Sequence, residues 1–308
     1  MSQGLSKIGN YSLIEEIGSG GLGRVFKAVD PDTGDIVAIK LLHDRYQDNQ
    51  KLLGIFHREL LILSRLKHKN IVDCVSANFD PPNCYVVTEY VDGWSLFELM
   101  RKFKKIPPVV ALCITIDVLQ GLDYLHLHDT FHADLSSANL LIDHRGRVLL
   151  ADFGFACRTD VEDYKDYMIG TPGYYSPEHI TDKAIGCSSD LYCIGLLLYE
   201  MITGLKAIPV NRDRKLVMKG MKNIDFSKIQ LEDKKLQRKL RKLLKKALQP
   251  RVWFRYKNAE QMARKVYELL KYSEIRYSRY AIHQWLADNG PSNESFEKVS
   301  QDIYMGVS

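Results

Sequence analysis

The 308-residue chain carries six cysteines, Cys74, Cys84, Cys113, Cys157, Cys187 and Cys193, and none has a close partner in sequence. That scatter argues against a disulfide framework or a cysteine zinc site and fits a reducing, cytosolic compartment. The N-terminus, MSQGLSKIGN, lacks the apolar core of a signal peptide. A membrane span is missing too: the most apolar run, residues 192–199, is too short to cross a bilayer and suits a buried helix. There is no internal repeat, and neither sign of charge dominates, since a net +5 is mild for this length. With 45% apolar and 26% charged residues, the composition excludes a disordered or membrane protein. What remains is a globular chain long enough for one large domain or two lobes.

The most informative stretch is FHADLSSANLLIDHRGRVLLADFG, residues 131–154. Asp134 is followed five residues later by Asn139, and Asp152-Phe153-Gly154 follows two apolar runs, Leu140 to Ile142 and Val148 to Leu150. The turn-forming residues Asp143 to Gly146 lie between those runs, so the pattern predicts a hairpin that returns Asp152 to Asp134 and Asn139. Hard carboxylate and amide oxygens gathered in this way suit Mg²⁺, which takes few protein oxygens and completes its shell on phosphates.

Such a site needs a phosphate cradle, and the sequence offers one upstream. Residues 11–17 and 24–29 have strand character and flank Gly18, Gly20 and Gly23. This glycine pattern lies between strands rather than before a helix, which disfavours a dinucleotide-binding turn. Glycines let backbone N–H groups approach phosphate oxygens without a Cβ in the way. An apolar strand, residues 36–39, then ends in Lys40, which either reaches solvent or meets a phosphate; its place after the glycines favours the phosphate. Residues 48–67 read as an amphipathic helix through Leu52, Leu53, Phe56, Leu60, Leu63 and Leu66, with Glu59 among them. Residues 84–91 form another buried strand, Asp92-Gly93 a turn, and Ser95 to Glu98 a capping box opening a helix.

Taken together, the glycine loop, Val37-Ala38-Ile39-Lys40, Asp134 to Asn139, Asp152-Phe153-Gly154 and Ser176-Pro177-Glu178 resemble, in order and spacing, a eukaryotic-type (Hanks-type) protein kinase. The resemblance covers about residues 11–271. It implies an α+β, bilobal fold with a β-rich N-lobe over residues 11–89 and a helical C-lobe over 92–271, and ATP in the cleft. Residues 1–10 would be a flexible leader and 272–308 a C-terminal extension. By resemblance, Ile17, Gly18, Ser19, Gly20, Gly21, Gly23 and Val25 would cover the nucleotide, and Lys40 would bind its phosphates while paired with Glu59. Thr88 takes the gatekeeper position, Glu89 to Val91 form the hinge to adenine, and Val25, Ala38 and Leu141 would sandwich the base. Asn139 and Asp152 would hold Mg²⁺, Asp134 would take or orient the substrate hydroxyl proton, and Thr171 would seat that hydroxyl. The segment 170–178, GTPGYYSPE, resembles the Ser/Thr form, so protein Ser/Thr hydroxyls are the expected substrates. Asp190 would brace the catalytic loop, and Glu178 would pair with Arg255.

The departures from the family carry their own expectations. His132-Ala133-Asp134 lacks the usual arginine at its centre, which implies activity independent of activation-loop phosphorylation. Ser136 stands where a lysine usually meets the transferred phosphate, implying a slower enzyme, with a nucleotide-binding pseudokinase scaffold as the alternative. Thr159, Tyr164 and Tyr167 carry hydroxyls among Asp160, Glu162, Asp163 and Asp166, an acidic loop read first as solvated. The run 234–246, KKLQRKLRKLLKK, has eight basic residues and no acid. It reads first as a C-lobe helix with solvated lysines, and otherwise as a surface for an acidic partner; DNA is not an expected partner. Beyond residue 272, Ile275, Tyr280, Ile282, Trp285 and Leu286 suggest one more helix that docks on the kinase or a partner, broken at Asn289-Gly290-Pro291-Ser292.

Overall fold

The computed structural model describes residues 7–20, 23–46, 49–80, 84–158, 170–181, 184–272 and 279–290. The chain divides into two compact units: Met1–Lys67, Val72–Asp92 and Asn289–Ser308 form the first, and His68–Ile71 and Gly93–Asp288 the second.

Strand periodicity organises the first unit. Strands β1 (Lys7–Ile8), β2 (Tyr11–Ser19), β3 (Gly23–Val29), β4 (Ile36–Leu42), β5 (Cys74–Asn78) and β6 (Tyr85–Glu89) make one antiparallel sheet in the order β1-β2-β3-β4-β6-β5. Because side chains alternate between faces, Phe26, Ala28, Val37, Ile39, Leu41 and Val87 close one core while Val25, Ala38 and Lys40 point the other way. The flexible leader is corrected here for residues 7–10. Lys7 and Ile8 pair with Ser12 and Tyr11, and Ile8, 1% exposed, belongs to the same core. One buried isoleucine next to a tight turn suffices to add a strand, a signal too short for periodicity to reveal.

Helix α1 (Gln50–Leu63) follows β4 and buries Leu53, Phe56, Leu60 and Leu63. It stops four residues short of the sequence expectation. Arg65 and Leu66 bond back only three residues, to Ile62 and Leu63, so a tightened turn keeps Leu66 buried without continuing the helix. The side chain of Leu52 lies outside the described residues.

After His68–Ile71 the second unit resumes at β7 (Gly93–Ser95), so Gly93 opens a strand instead of completing a turn and pairs with Asp143. Ser95 then caps α2 (Leu96–Phe103): its hydroxyl accepts from Glu98 N–H, and the Glu98 carboxylate accepts from Ser95 N–H at 2.7 Å. Next come α3 (Pro108–Leu127), β8 (Thr130–Phe131), β9 (Leu140–Asp143), β10 (Val148–Leu150) and β11 (Cys157–Arg158). These are followed by α4 (Pro177–Thr181), α5 (Cys187–Thr203), α6 (Arg214–Lys222), α7 (Lys234–Ala247), α8 (Ala259–Tyr272) and α9 (Arg279–Asn289). Helix α3 is the apolar stretch the sequence survey passed over. Its 20 residues are long and apolar enough to cross a bilayer, yet 72% of the apolar window is buried inside the protein, where α3 packs on α5 and α8. It is a core helix by placement.

In α7, Leu236, Leu240, Leu243, Leu244 and Ala247 are buried. Its basic side chains are partly used by the fold. Lys235 and Lys239 lie over the Tyr272 ring, Lys246 over Tyr256 and Lys245 over Phe226, while Arg241 donates to the Ser227 and Ile229 carbonyls. Helix α9 docks within its own unit. Ile282 and Leu286 are buried, Trp285 meets the Phe103 ring edge-on at 5.0 Å, and His283 Nδ1 donates to the His144 carbonyl at 2.7 Å. Gly146, in the β9–β10 turn, has φ +76°, and any Cβ there would press into the α9 backbone at Arg279 and His283. Residues 273–278, with Ile275, and residues 291–308 lie outside the described residues.

The end of α4 is fixed by a buried ion pair. Arg255 Nη2 donates to Glu178 Oε1 at 2.7 Å and Nη1 to Oε2 at 2.9 Å, while the Ser188, Gln249 and Pro250 carbonyls take its other protons. The guanidinium holds the Glu178 carboxyl below its ordinary range although burial pushes it up. Removing one partner strands the other charge in a dry site. Arg255→Ala is expected to destabilise the second unit by roughly 3–5 kcal/mol in urea unfolding, far more than loss of an exposed pair.

Candidate active site

In the first unit the pleat decides which groups can meet a ligand. Val25 pairs with Lys40, and Ala38 pairs with Lys27 and Thr88, so Val25, Ala38, Lys40 and Thr88 share one face of the sheet. Lys40 Nζ lies 3.0 Å from both carboxylate oxygens of Glu59, which α1 delivers; Lys40 is 14% exposed and Glu59 only 1%. A buried carboxylate held at both oxygens fixes the end of an otherwise flexible side chain. At the glycine turn, Gly20 N donates to the Gly23 carbonyl at 2.8 Å. His43 Nε2 donates to the Gly20 carbonyl at 3.0 Å, a tether that sequence reasoning missed because His43 lies outside every motif. Ile17, Gly18 and Ser19 belong to β2 and are half-buried; Gly21 lies outside the described residues. At the end of β6, the Glu89 N–H donates to the Asp73 carbonyl, and Asp73 N–H donates back to the Glu89 carboxylate, while Val91 is buried.

In the second unit, β9 and β10 pair as the hairpin expected from sequence, Leu140 with Leu150 and Ile142 with Val148. Ala151 N then donates to the Asn139 carbonyl at 3.0 Å, which sets Asp152 beside Asn139. Asn139 Nδ2 donates to the Asp134 carbonyl at 2.8 Å and sits 3.4 Å from its Oδ2. Thr171 Oγ1 donates to Asp134 Oδ1 at 2.6 Å, joining the segment 170–178 to the acid. Asp152 has φ +57°, and Gly154 N donates to its Oδ1 at 3.3 Å. Burial pushes the Asp134 carboxyl up to about 7, with the nearby Asp152 charge adding to the rise and the Thr171 and Asn139 hydrogen bonds opposing it. Two repelling carboxylates beside an amide form a donor set that suits a hard cation. Among the described residues there is no group of three or more His, Cys, Asp or Glu placed to hold a metal ion. Leu141, half-buried on β9, is also in this unit.

The loop bearing Asp134 hangs on Asp190 of α5. That buried carboxylate accepts from His132 N–H and Ala133 N–H, each at 3.0 Å, and from His126 Nε2 at 2.9 Å. The His132 ring donates to the Ala151 carbonyl and lies against Phe153. Further along, Tyr174 donates its hydroxyl proton within a group formed by Ser137 and Glu200, and Lys206 pairs with Glu200 over the Tyr174 ring. Ser136 is buried, and its hydroxyl has no hydrogen-bond partner among the described residues. No cation stands at that position. The hydroxyls at 159, 164 and 167 and the acids at 160, 162, 163 and 166 lie outside the described residues.

Sequence comparison adds the lineage. The profile described as protein kinase domain matches residues 11–267. The chain belongs to the protein kinase domain family. Kinases of this family generally use ATP and Mg²⁺. Among curated relatives, a probable serine/threonine-protein kinase of Dictyostelium discoideum is 35% identical over 64% of this chain and 40% of its own length. Another, from Clostridium perfringens, is 29% identical over 83% of this chain and 38% of its own. The chain thus spans about two fifths of the length of these relatives. Among solved structures, the PknI kinase domain of Mycobacterium tuberculosis superposes with a TM-score of 0.67 at 22% identity, over 85% of this chain and 97% of that one. This likeness establishes the kinase fold.

The His126–Asp190 contact carries a pH signature. Burial alone would lower the His126 pKa from 6.5, but its hydrogen bonds to Asp190 and Cys187 prevail and raise it to about 9. A histidine raised in the fold stabilises fully below its ordinary pKa and loses that contribution as pH climbs through the folded value. The stability gap between wild type and His126→Gln is therefore expected to shrink from pH 6.5 to above 9 in thermal melts.

Proposed function

We infer that the chain transfers the ATP γ-phosphate to Ser/Thr hydroxyls of protein substrates, with Mg²⁺. The observation that carries this reading is the 2.6 Å bond from Thr171 to Asp134, which couples a protein-substrate segment to the one acid placed to receive a hydroxyl proton. The relatives from Dictyostelium discoideum and Clostridium perfringens, both named as probable serine/threonine-protein kinases, point the same way.

In this reading the chain's own groups position and neutralise, and little covalent chemistry is asked of them. Lys40, fixed by Glu59, meets nucleotide phosphates, while the backbone from Ile17 to Val25 covers them. The shared-face residues Val25 and Ala38, with Leu141, pack the base; Thr88 to Val91 take the gatekeeper and hinge roles. Asn139 and Asp152 would hold Mg²⁺, which when bound neutralises phosphate charge. Asp134 accepts or orients the hydroxyl proton, and Thr171 holds the acid in line.

Ala133 carries no charge needing a phosphate partner, so activity is assigned as independent of activation-loop phosphorylation. The free cysteines of the described residues fit a cytoplasmic location. The basic face of α7 is left out of the assignment, since four of its lysines already lie over aromatic rings. A nucleotide-binding scaffold is the second reading, and the buried, uncharged Ser136 is what favours it.

Phosphate transfer from labelled ATP with Mg²⁺ to a basic protein separates the two. Asp134→Ala is expected to lower kcat about 10²–10⁴-fold, the range for a positioned base, and phosphatase treatment is expected to leave the rate unchanged. ATP binding with no transfer above the mutant decides for the scaffold. The pH profile follows from the sign of the Asp134 shift: the base works as a carboxylate, so kcat/KM for ATP is expected to fall as pH drops through about 7.

A further inference from the structure

Ala133, the residue before Asp134, holds φ +64°, in the left-handed region that L side chains seldom adopt. A backbone kept there needs its surroundings to over-determine it. On one side the Ala133 N–H donates to Asp190 Oδ1 at 3.0 Å. On the other side the Ala133 carbonyl accepts from His179 Nε2 at 2.9 Å. Both polar groups of this residue are thus held, and the second comes from α4, at the end of the segment whose start places Thr171 on Asp134.

The tautomer of His179 follows from its neighbours. The Ser176 N–H donates to Nδ1 at 3.1 Å and the Ser176 hydroxyl lies 2.7 Å from the same nitrogen, so Nδ1 is the acceptor. The proton is then on Nε2, facing a carbonyl that can only accept. Burial keeps the ring neutral by lowering its pKa, although Asp190 and Glu178 favour the charged form and Arg255 opposes it. At the start of the segment, Gly170 has φ +101°, and a Cβ there would come within 3.3 Å of the imidazole Cδ2. One buried ring therefore underlies both ends of residues 170–178.

We propose that His179 is a positioning residue for the transfer reaction: through the Ala133 carbonyl it fixes the peptide that aims Asp134, and through Ser176 and Gly170 it seats the substrate segment on that peptide. The proposal rests on the phosphotransfer reading above. It supplies a neutral lock where the side chain at 133 is a methyl group. A neutral lock needs no counter-charge, so the segment keeps its seat without any added phosphate. No motif flagged this histidine, which follows Ser176-Pro177-Glu178 in a short buried helix.

The test compares the full chain with His179→Phe, which fills the space without a donor, His179→Gln, which restores a donor near the Nε2 position, and Ser176→Ala. Amide exchange over residues 131–135 is read by mass spectrometry beside kcat and the KM for ATP. The expected result is faster exchange at 131–135 in His179→Phe, with kcat down on the order of 10²-fold, as for a misplacement of ~1 Å. KM for ATP is expected to stay unchanged, and His179→Gln to recover most of both losses. Unchanged exchange, or faster exchange with unchanged kcat, overturns the proposal. If His179→Phe does not fold, Ser176→Ala decides on the same two readouts, with a smaller loss expected. A wild-type chain that binds ATP but transfers nothing overturns the phosphotransfer reading itself, while the exchange data still decide whether His179 holds the loop.

Discussion

A single buried carboxylate sets the geometry of the second unit. Asp190, fully buried on α5, receives two backbone N–H groups and one imidazole. Each of these donors would otherwise be stranded away from water, at a cost of about 1–3 kcal/mol apiece. The carboxylate thus bends the chain at His132 and Ala133, and it does so from the first turn of a helix whose neighbours α3 and α7 are packed around it. The position of Asp134 follows from this bend. Thr171, Asn139 and His179 refine an arrangement that Asp190 has already made.

Most of the chemistry was legible in sequence because it depends on spacing. A step of five residues from Asp134 to Asn139, and a hairpin between Asn139 and Asp152, leave the backbone few ways to run, and β9 and β10 pair as the apolar runs imply. The Lys40–Glu59 contact was expected from the family resemblance, and the structure shows it. Residues that act alone left no such trace. Ile8 adds a strand through one buried side chain, and His43 reaches Gly20 from a loop. His126 and His179 are single imidazoles whose roles come from what packs around them. A periodic pattern records faces; it does not record which carbonyl a lone ring will find. The ends of α1 and β7 were misjudged for the same reason, because local bonding rather than periodicity decides where an element stops.

The departures from the family pattern are accommodated in different ways. At 133 the missing arginine leaves a backbone held by the buried Asp190 carboxylate and the His179 ring. At 136 the missing lysine leaves a buried hydroxyl without a partner among the described residues. At the first, both polar groups of the residue are held within the fold. The second places an uncharged residue in the loop whose Asp134 is already raised by the charge of Asp152.

The docking of α9 has a consequence for where this domain ends. The family match stops at residue 267, yet Ile282 and Leu286 are as deeply buried as residues of the inner helices, and Gly146 is shaped to receive the α9 backbone. The turn it covers belongs to the hairpin that joins Asn139 to Asp152. A chain trimmed to the shared boundary would uncover an apolar slot on that hairpin and leave its rim to solvent. The inherited unit and the folding unit therefore differ in length, and the added helix is part of the scaffold that holds Asn139 and Asp152.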